Sequence, residues 1–191
     1  PAPGGGSISA YVGALGVSLA TMVANLSSHK PGWDVRWKEF SDYAEQGQKI
    51  KDELLKLVDE DTKAFNKIMD ALDLPKSSDE EKSIRTNAIQ HATKNAIEVP
   101  FRVMELSLKS FELVKAMAEK GNPNSVSDAG VGALCARAAV YGAFLNVKIN
   151  AASYSDKRYT SAKLKKGKAM LDKAKEMERK ILGVVERKIS S

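Results

Sequence analysis

From Ile8 to Leu26 the chain carries no charged side chain. A run of that length has two destinations, the interior of a protein or the interior of a bilayer. Ser9, Ser18, Thr21 and Asn25 dilute its apolar character and no aromatic belt flanks it, so no membrane span is assigned. Ala10, Gly13, Ala14, Gly16, Ala20 and Ala24 keep the segment thin. The pattern predicts a helix, capped by Ser7 and ending near Asn25, that other elements enclose on all sides.

Elements that enclose such a helix must present long apolar stripes, and the remaining sequence supplies them with three-four spacing and little period-two alternation. A loop with Pro31-Gly32 precedes a long helix from about Val35 to Leu72. Leu74-Pro75 ends it, and Ser78 with Glu81 has the spacing of a capping box for a helix from Asp79 to Lys120. Pro100 interrupts that helix's ladder, so a kink is expected near Val99. Gly121-Asn122-Pro123 is a stop. A fourth helix, capped by Ser127 or Asp128, runs to about Ser153, and a fifth from Lys157 to Ile189. The fold class read from this pattern is all-α: a single-domain bundle of about five long helices spanning residues 1–191.

Composition narrows the function classes. One cysteine among 191 residues makes no internal disulfide, and two histidines with one cysteine make no metal centre, so a cytoplasmic, metal-free protein is expected. The formal charge of +6 is unevenly spread. Residues 157–191 hold 12 basic and 4 acidic side chains, net +8, against 18 and 20, net −2, before them. A solvated helix face accounts for this; attraction of an anionic ligand tail or of nucleic acid is the sharper alternative.

Chemistry points first to Asp61. Ile50, Leu54, Leu57, Phe65, Ile68 and Leu72 form one apolar stripe at about 100° per residue, and Asp61 falls inside it while Asp59 and Glu60 point elsewhere. A carboxyl withdrawn from water must be paired or protonated, and proteins make general acids and bases this way; a structural hydrogen bond to a cap or an arginine is the other reading. The fourth helix lines Asp128, Cys135, Ala139, Gly142, Asn146 and Asn150 along one face. Asp128 and Asn146 are separated by roughly 27 Å of helix, so they meet in one site only if two copies pack antiparallel. Gly4-Gly5-Gly6-Ser7 lets backbone approach a ligand at a helix N-terminus, but it lacks the ending of a P-loop. Cys135 reads as a packing residue, His91 as a surface or core histidine, and Trp33, Trp37 and Phe40 as packing or interface residues, whereas His29 and Lys30 have access to an anion.

Several segments, taken in order, carry a resemblance: Pro-Ala-Pro-Gly-Gly-Gly-Ser at 1–7, Met-Val-Ala-Asn-Leu at 22–26, Val-Asp-Glu-Asp at 58–61, Ala-Phe-Asn at 64–66 and Leu-Pro-Lys at 74–76. Glu-Val-Pro at 98–100, Gly-Asn-Pro-Asn-Ser-Val-Ser-Asp-Ala-Gly-Val at 121–131 and Leu-Asn-Val-Lys-Ile-Asn at 145–150 complete the set. The chain resembles the cyclodeaminase family, which comprises the cyclodeaminase domain of formimidoyltransferase-cyclodeaminase and the bacterial methenyltetrahydrofolate cyclohydrolases. The resemblance implies an all-helical homodimer with active sites at the subunit interface. It implies a catalytic role for Asp61, and a folate pocket that takes in Gly4, Gly5, Gly6, Ser7, Lys30, Asp128, Asn146 and Asn150.

It further implies ring closure of 5-formiminotetrahydrofolate to 5,10-methenyltetrahydrofolate and ammonia, as in histidine degradation, with no tightly bound cofactor. The reduced folate, polyglutamylated in some settings, is the expected partner, and a fused or associated formimidoyltransferase domain and a helix before the glycine loop are implied outside this sequence. Where members carry a lysine run after the first helix, this chain has Ser28-His29-Lys30-Pro31-Gly32-Trp33, which leaves Lys30 with His29. Hydrolysis of methenyltetrahydrofolate on the same fold, a basic helical module binding nucleic acid, and an inactive oligomerisation domain are the rival readings.

Overall fold

A computed structural model describes residues 3–190; Pro1 and Ala2 of the opening loop, and Ser191, lie outside the described residues. Five helices carry the fold: α1 (Gly5–Ser28), α2 (Trp37–Leu72), α3 (Asp79–Lys120), α4 (Val126–Ala152) and α5 (Lys157–Ile189), with short 3-10 turns at Asp34–Arg36 and Pro123–Ser125. No strand occurs among the described residues. The chain is all-α, as its periodicity requires.

Helix ends follow local chemistry. The capping box forms, with the Glu81 N–H donating to Ser78 Oγ at 3.1 Å and the Ser78 N–H to Glu81 Oε2 at 3.1 Å. Asp156 accepts from the Tyr159 N–H at 2.9 Å and starts α5. The last carbonyl of α2, Leu72, is held by Arg85 through Nε at 3.1 Å and Nη2 at 2.9 Å. Two expected caps fail. Residue 125, not 127 or 128, occupies the N-cap of α4, and it makes no side-chain cap bond, because the 3-10 turn already delivers the chain in helical geometry. Ser7 lies inside the first turn of α1, whose N-cap is Gly4.

α3 is the spine, packing against all four other helices. Its buried Ile97, Phe101, Met104, Phe111, Val114 and Met117 meet Leu54 and Phe40 of α2, Val17 and Val23 of α1 and the alanine-rich face of α4 in one continuous core. α3 stays helical through Pro100 without a break. α1 and α4 run antiparallel and cross closely at Gly16 and Gly132. A Cβ at Gly16 would lie 2.9 Å from the Gly132 carbonyl oxygen and 2.9 Å from Cys135 Cβ. The small residues of α1 thus serve helix–helix approach.

Full enclosure of α1 is not what the structure gives. Ile8, Tyr11, Leu15, Met22 and Leu26 form an exposed stripe along it, and Val131, Leu134, Tyr141, Leu145 and Ile149 form another along α4. Each helix is long and apolar enough to cross a membrane, yet about half of each is packed inside the bundle: 56% of the apolar window in α1 and 50% in Pro123–Ala152. The two stripes lie on adjacent helices, on the side away from α3.

The basic helix α5 spends many of its cations internally. Lys163 pairs with Glu98 at 2.6 Å and Lys166 with Glu105 at 2.8 Å, both across to α3. Lys157 donates to the carbonyls of Ala152 and Tyr154 at the end of α4, and Lys188 to those of Ala118 and Glu119 at the end of α3. Cations at helix C-termini complement the macrodipole and fill orphan carbonyls.

Candidate active site

The N-terminus of α1 abuts the middle of α2 at Asp61. Ser7 donates both its backbone N–H (2.8 Å) and its Oγ–H (2.9 Å) to Asp61 Oδ2, and the Ser7 hydroxyl also lies 3.3 Å from Thr62 Oγ1. The carboxylate of α2 therefore caps α1 from outside, where the helix dipole and open N–H groups favour an anion. Asp61 is partly buried, not sealed. Its Oδ2 is spent on Ser7; its Oδ1 carries no bond to a described residue.

The glycines explain how a carboxylate fits there. A Cβ on Gly6 would stand 2.1 Å from Asp61 Oδ1 and 2.5 Å from its Cγ. On Gly5 it would stand 3.1 Å from Asn146 Nδ2, and on Gly4 it would meet Asp61 Oδ2 at an ordinary 3.9 Å. Gly5 and Gly6 are helical, so their missing side chains provide room.

Beside this junction lies a cavity of about 510 Å³ lined by Gly4, Gly5, Asp61, Thr62, Phe65, Asn66, Ile68, Ala96, Asn146, Ile149 and Asn150. That volume is in the range of small-molecule sites. Gly6 and Ser7 are buried behind Asp61 and are absent from this lining; their contact is with the carboxylate. Asn146 donates Nδ2 to the Gly142 carbonyl at 2.9 Å, and Asn150 donates Nδ2 to the Ala96 carbonyl at 2.7 Å. Thr62, Phe65, Asn66, Ile68, Ala96 and Ile149 were not singled out as site residues from the sequence. The signal for the α2 members was their position within two turns of Asp61; Ala96 offered none. Phe65 is 51% exposed, so the apolar stripe of α2 opens into the cavity at this level instead of closing on the core.

Lys30 and Asp128 do not join this group. Lys30, with its ammonium 4.8 Å from the Trp33 ring centre, and Asn122 border a second, shallow depression where α1 ends and α4 begins. Asp128 sits in the first turn of α4 at that same end. About 27 Å of α4 separates it from Asn146 at the cavity, 18 residues at 1.5 Å each, and the 24 residues of α1, about 36 Å, lie between Lys30 and the cavity end. Within one chain the sequence-derived residues fall into two groups at opposite ends of α1 and α4.

Behind the cavity, on the opposite face of α3 from Ala96, Glu98 accepts from Lys163 at 2.6 Å and from the Tyr159 hydroxyl. Burial alone would raise the Glu98 carboxyl, but these hydrogen bonds and the charges of Lys163 and Lys94 hold it below the usual carboxylate range. Burial and the same carboxylate push the Tyr159 phenol upward. Burial raises the Cys135 thiol, which fits packing at the α1–α4 crossing. Among the described residues, no three His, Cys, Asp or Glu side chains come together as metal ligands.

A family model described as formiminotransferase-cyclodeaminase matches residues 1–169. A methenyltetrahydrofolate cyclohydrolase of Methylorubrum extorquens is 35% identical over 190 residues, covering 100% of this chain and 91% of that protein. A formimidoyltransferase-cyclodeaminase of Gallus gallus is 33% identical over 187 residues, and the match takes in 35% of its length. A crystal structure of a formiminotetrahydrofolate cyclodeaminase from Thermotoga maritima superposes with a TM-score of 0.79 at 30% identity, over 96% of this chain and 89% of that one.

Proposed function

The chain belongs to the formiminotransferase-cyclodeaminase family, and from that premise we propose that it is a folate-acting enzyme, a formimidoyltetrahydrofolate cyclodeaminase, with Asp61 as its general acid–base. The observation that carries this reading is a fixed carboxylate with one oxygen held by Ser7 and the other unengaged, beside a cavity of about 510 Å³.

The chemistry suits that arrangement. The formimino group on N5 enters as an amidinium, and N10 attacks its carbon. The new N10–C bond makes a tetrahedral centre with a surplus proton on N10. Asp61 Oδ1 removes this proton and delivers it to the exocyclic amine, the C–N bond to that amine breaks, and ammonia leaves behind 5,10-methenyltetrahydrofolate. One carboxyl serves both transfers. Ser7 fixes its rotamer, so little reorganisation remains at the moment of transfer.

The second reading is hydrolysis of 5,10-methenyltetrahydrofolate, favoured by the similarity to the Methylorubrum protein over nearly the full length of both chains. Water then replaces N10 as nucleophile and N5 receives the proton.

The functional unit in this proposal is a two-fold dimer. The exposed apolar stripes of α1 and α4 form a self-complementary face, and an antiparallel partner would bring its Lys30 and Asp128 end against the Asp61 cavity. Those two residues, with Asn146 and Asn150, are proposed substrate contacts, and Lys30 would face the glutamate tail of the folate. Ammonia release from 5-formiminotetrahydrofolate, measured beside the loss of methenyltetrahydrofolate absorbance, decides between the two reactions. Activity with neither substrate refutes the assignment.

A further inference from the structure

Each N–H of an α-helix donates to the carbonyl four residues earlier. Proline has no N–H, so Pro100, in the middle of α3, leaves the carbonyl of Ala96 without its intrahelical donor. Ala96 is buried, at 6% exposure, and an unmet carbonyl there is costly. Asn150 of α4 supplies the donor, with Nδ2 at 2.7 Å. Chemistry fixes the direction of this carboxamide, since a carbonyl accepts from N–H and from nothing that Oδ1 offers. Asn150 Oδ1 is therefore the end turned away from Ala96, and Asn150 lines the cavity.

Asn146 repeats the arrangement one turn earlier. Its Nδ2 is given to Gly142, its Oδ1 has no partner among the described residues, and the amide lies over Gly5 at the cavity wall. With Asp61, three side chains that carry acceptor oxygens, from α2 and α4, line one cavity.

We propose that Pro100 is a positioning residue for substrate recognition: by leaving the Ala96 carbonyl open it fixes the Asn150 carboxamide with Oδ1 toward the cavity, so that the pocket presents acceptors to the N–H-bearing edge of a reduced pterin. The inference rests on the folate reading above and adds the part of the ligand that is read, the 2-amino end of the ring, its donor-richest point. Proline is the least favourable residue in a helix interior. At this position any other residue would return an N–H to the Ala96 carbonyl, and the Asn150 amide would then share that acceptor with a backbone donor and be held less firmly.

The test compares the wild-type protein with Pro100→Ala, Asn150→Ala and the double variant. Dissociation constants are measured for tetrahydrofolate and for its 2-desamino-2-methyl analogue, and exchange of the Asn150 side-chain amide protons is followed by NMR without ligand. Pro100→Ala is expected to fold with unchanged or increased helicity, to lose the protected Asn150 amide proton, and to bind tetrahydrofolate roughly tenfold more weakly, the worth of one hydrogen bond. Asn150→Ala should lose the same affinity and the preference over the analogue, and the double variant should be no worse than either single one. A structural role for Pro100 would not produce that non-additivity. Wild-type affinity and selectivity in Pro100→Ala overturn the inference alone, as does undiminished preference for tetrahydrofolate in Asn150→Ala. Failure of the wild-type protein to bind tetrahydrofolate overturns the folate reading and this inference with it.

Discussion

Replacing Gly6 by alanine tests the site at its tightest point. The added Cβ would lie 2.1 Å from Asp61 Oδ1, 2.5 Å from Cγ and 2.7 Å from Oδ2, against the 3.4 Å at which ordinary contact begins. The shortfall to Oδ1 is about 1.3 Å, too large for a breathing motion in a packed interior. Either Asp61 rotates away from Ser7, or α1 retreats from α2. Both forfeit the two hydrogen bonds from Ser7. Bonds to a charged group are worth about 1.5–3 kcal/mol each, and the intrinsic helix preference of alanine returns about 1 kcal/mol at most. The net expected loss is about 2–5 kcal/mol of stability. Displacing the reacting carboxyl by about 1 Å should cost roughly 100-fold in kcat. Ammonia release and thermal unfolding are the assays, run beside Gly4→Ala, whose Cβ meets ordinary contact at 3.9 Å, and Gly5→Ala, which has only the rotatable Asn146 amide at 3.1 Å to move. The expected order of damage is Gly6, then Gly5, then Gly4. Wild-type turnover in Gly6→Ala, or equal damage at all three positions, would refute the close-approach explanation of these glycines.

Asp61→Asn should melt near the wild-type temperature, because an amide oxygen still accepts from Ser7, while turnover falls by about 10²–10⁴; Asp61→Ala should lose both turnover and stability, which calorimetry with the ammonia assay separates. Glu98 has a folded-state pKa below its ordinary 4.5, so its contribution to stability is complete above that value and is lost as pH falls through the folded one. Melting temperature recorded between pH 6 and pH 3 should fall less steeply in Glu98→Gln, and an unchanged slope would count against the Lys163–Glu98–Tyr159 cluster. Leu15→Glu and Leu145→Glu place charges on the open apolar face, at positions 45% and 50% exposed; sedimentation should show monomers with little change in helicity and a loss of turnover. Dimers of wild-type mass in both variants would remove the proposed interface.

Asp61 and the glycines show where the sequence was legible. An acid inside an apolar stripe breaks a pattern, and the break was visible without coordinates. Its structural partner, Ser7, is equally visible as a residue, yet its place before a helical run points to a cap of its own helix. A serine just before a helical run reads locally as an N-cap, and only the arrival of α2 made a foreign carboxylate the better acceptor. From spacing alone the glycine triplet reads as a loop that approaches a ligand, because spacing along one stretch of sequence contains no distance to another helix. The basic character of α5 implies a solvated face or a site for anions, whereas several of its lysines end on Glu98, Glu105 and the carbonyls that close α3 and α4.

The helices themselves were fixed by the chain alone, since three-four spacing, the Ser78–Glu81 box and the proline and glycine stops act over a few residues and need no partner. What only the tertiary structure decided was which polar groups are already spent. Asn146 and Asn150 were two asparagines on one face until Gly142 and the proline-opened carbonyl of Ala96 claimed their Nδ2 atoms. Likewise, the motifs group Lys30 with Asp61, and only the placed helix α1 shows the two at opposite ends, whereas the 18-residue spacing from Asn146 already sets Asp128 apart within one chain. Hydrogen bonds and contact distances between helices depend on the relative placement of distant segments, and local periodicity does not encode that placement.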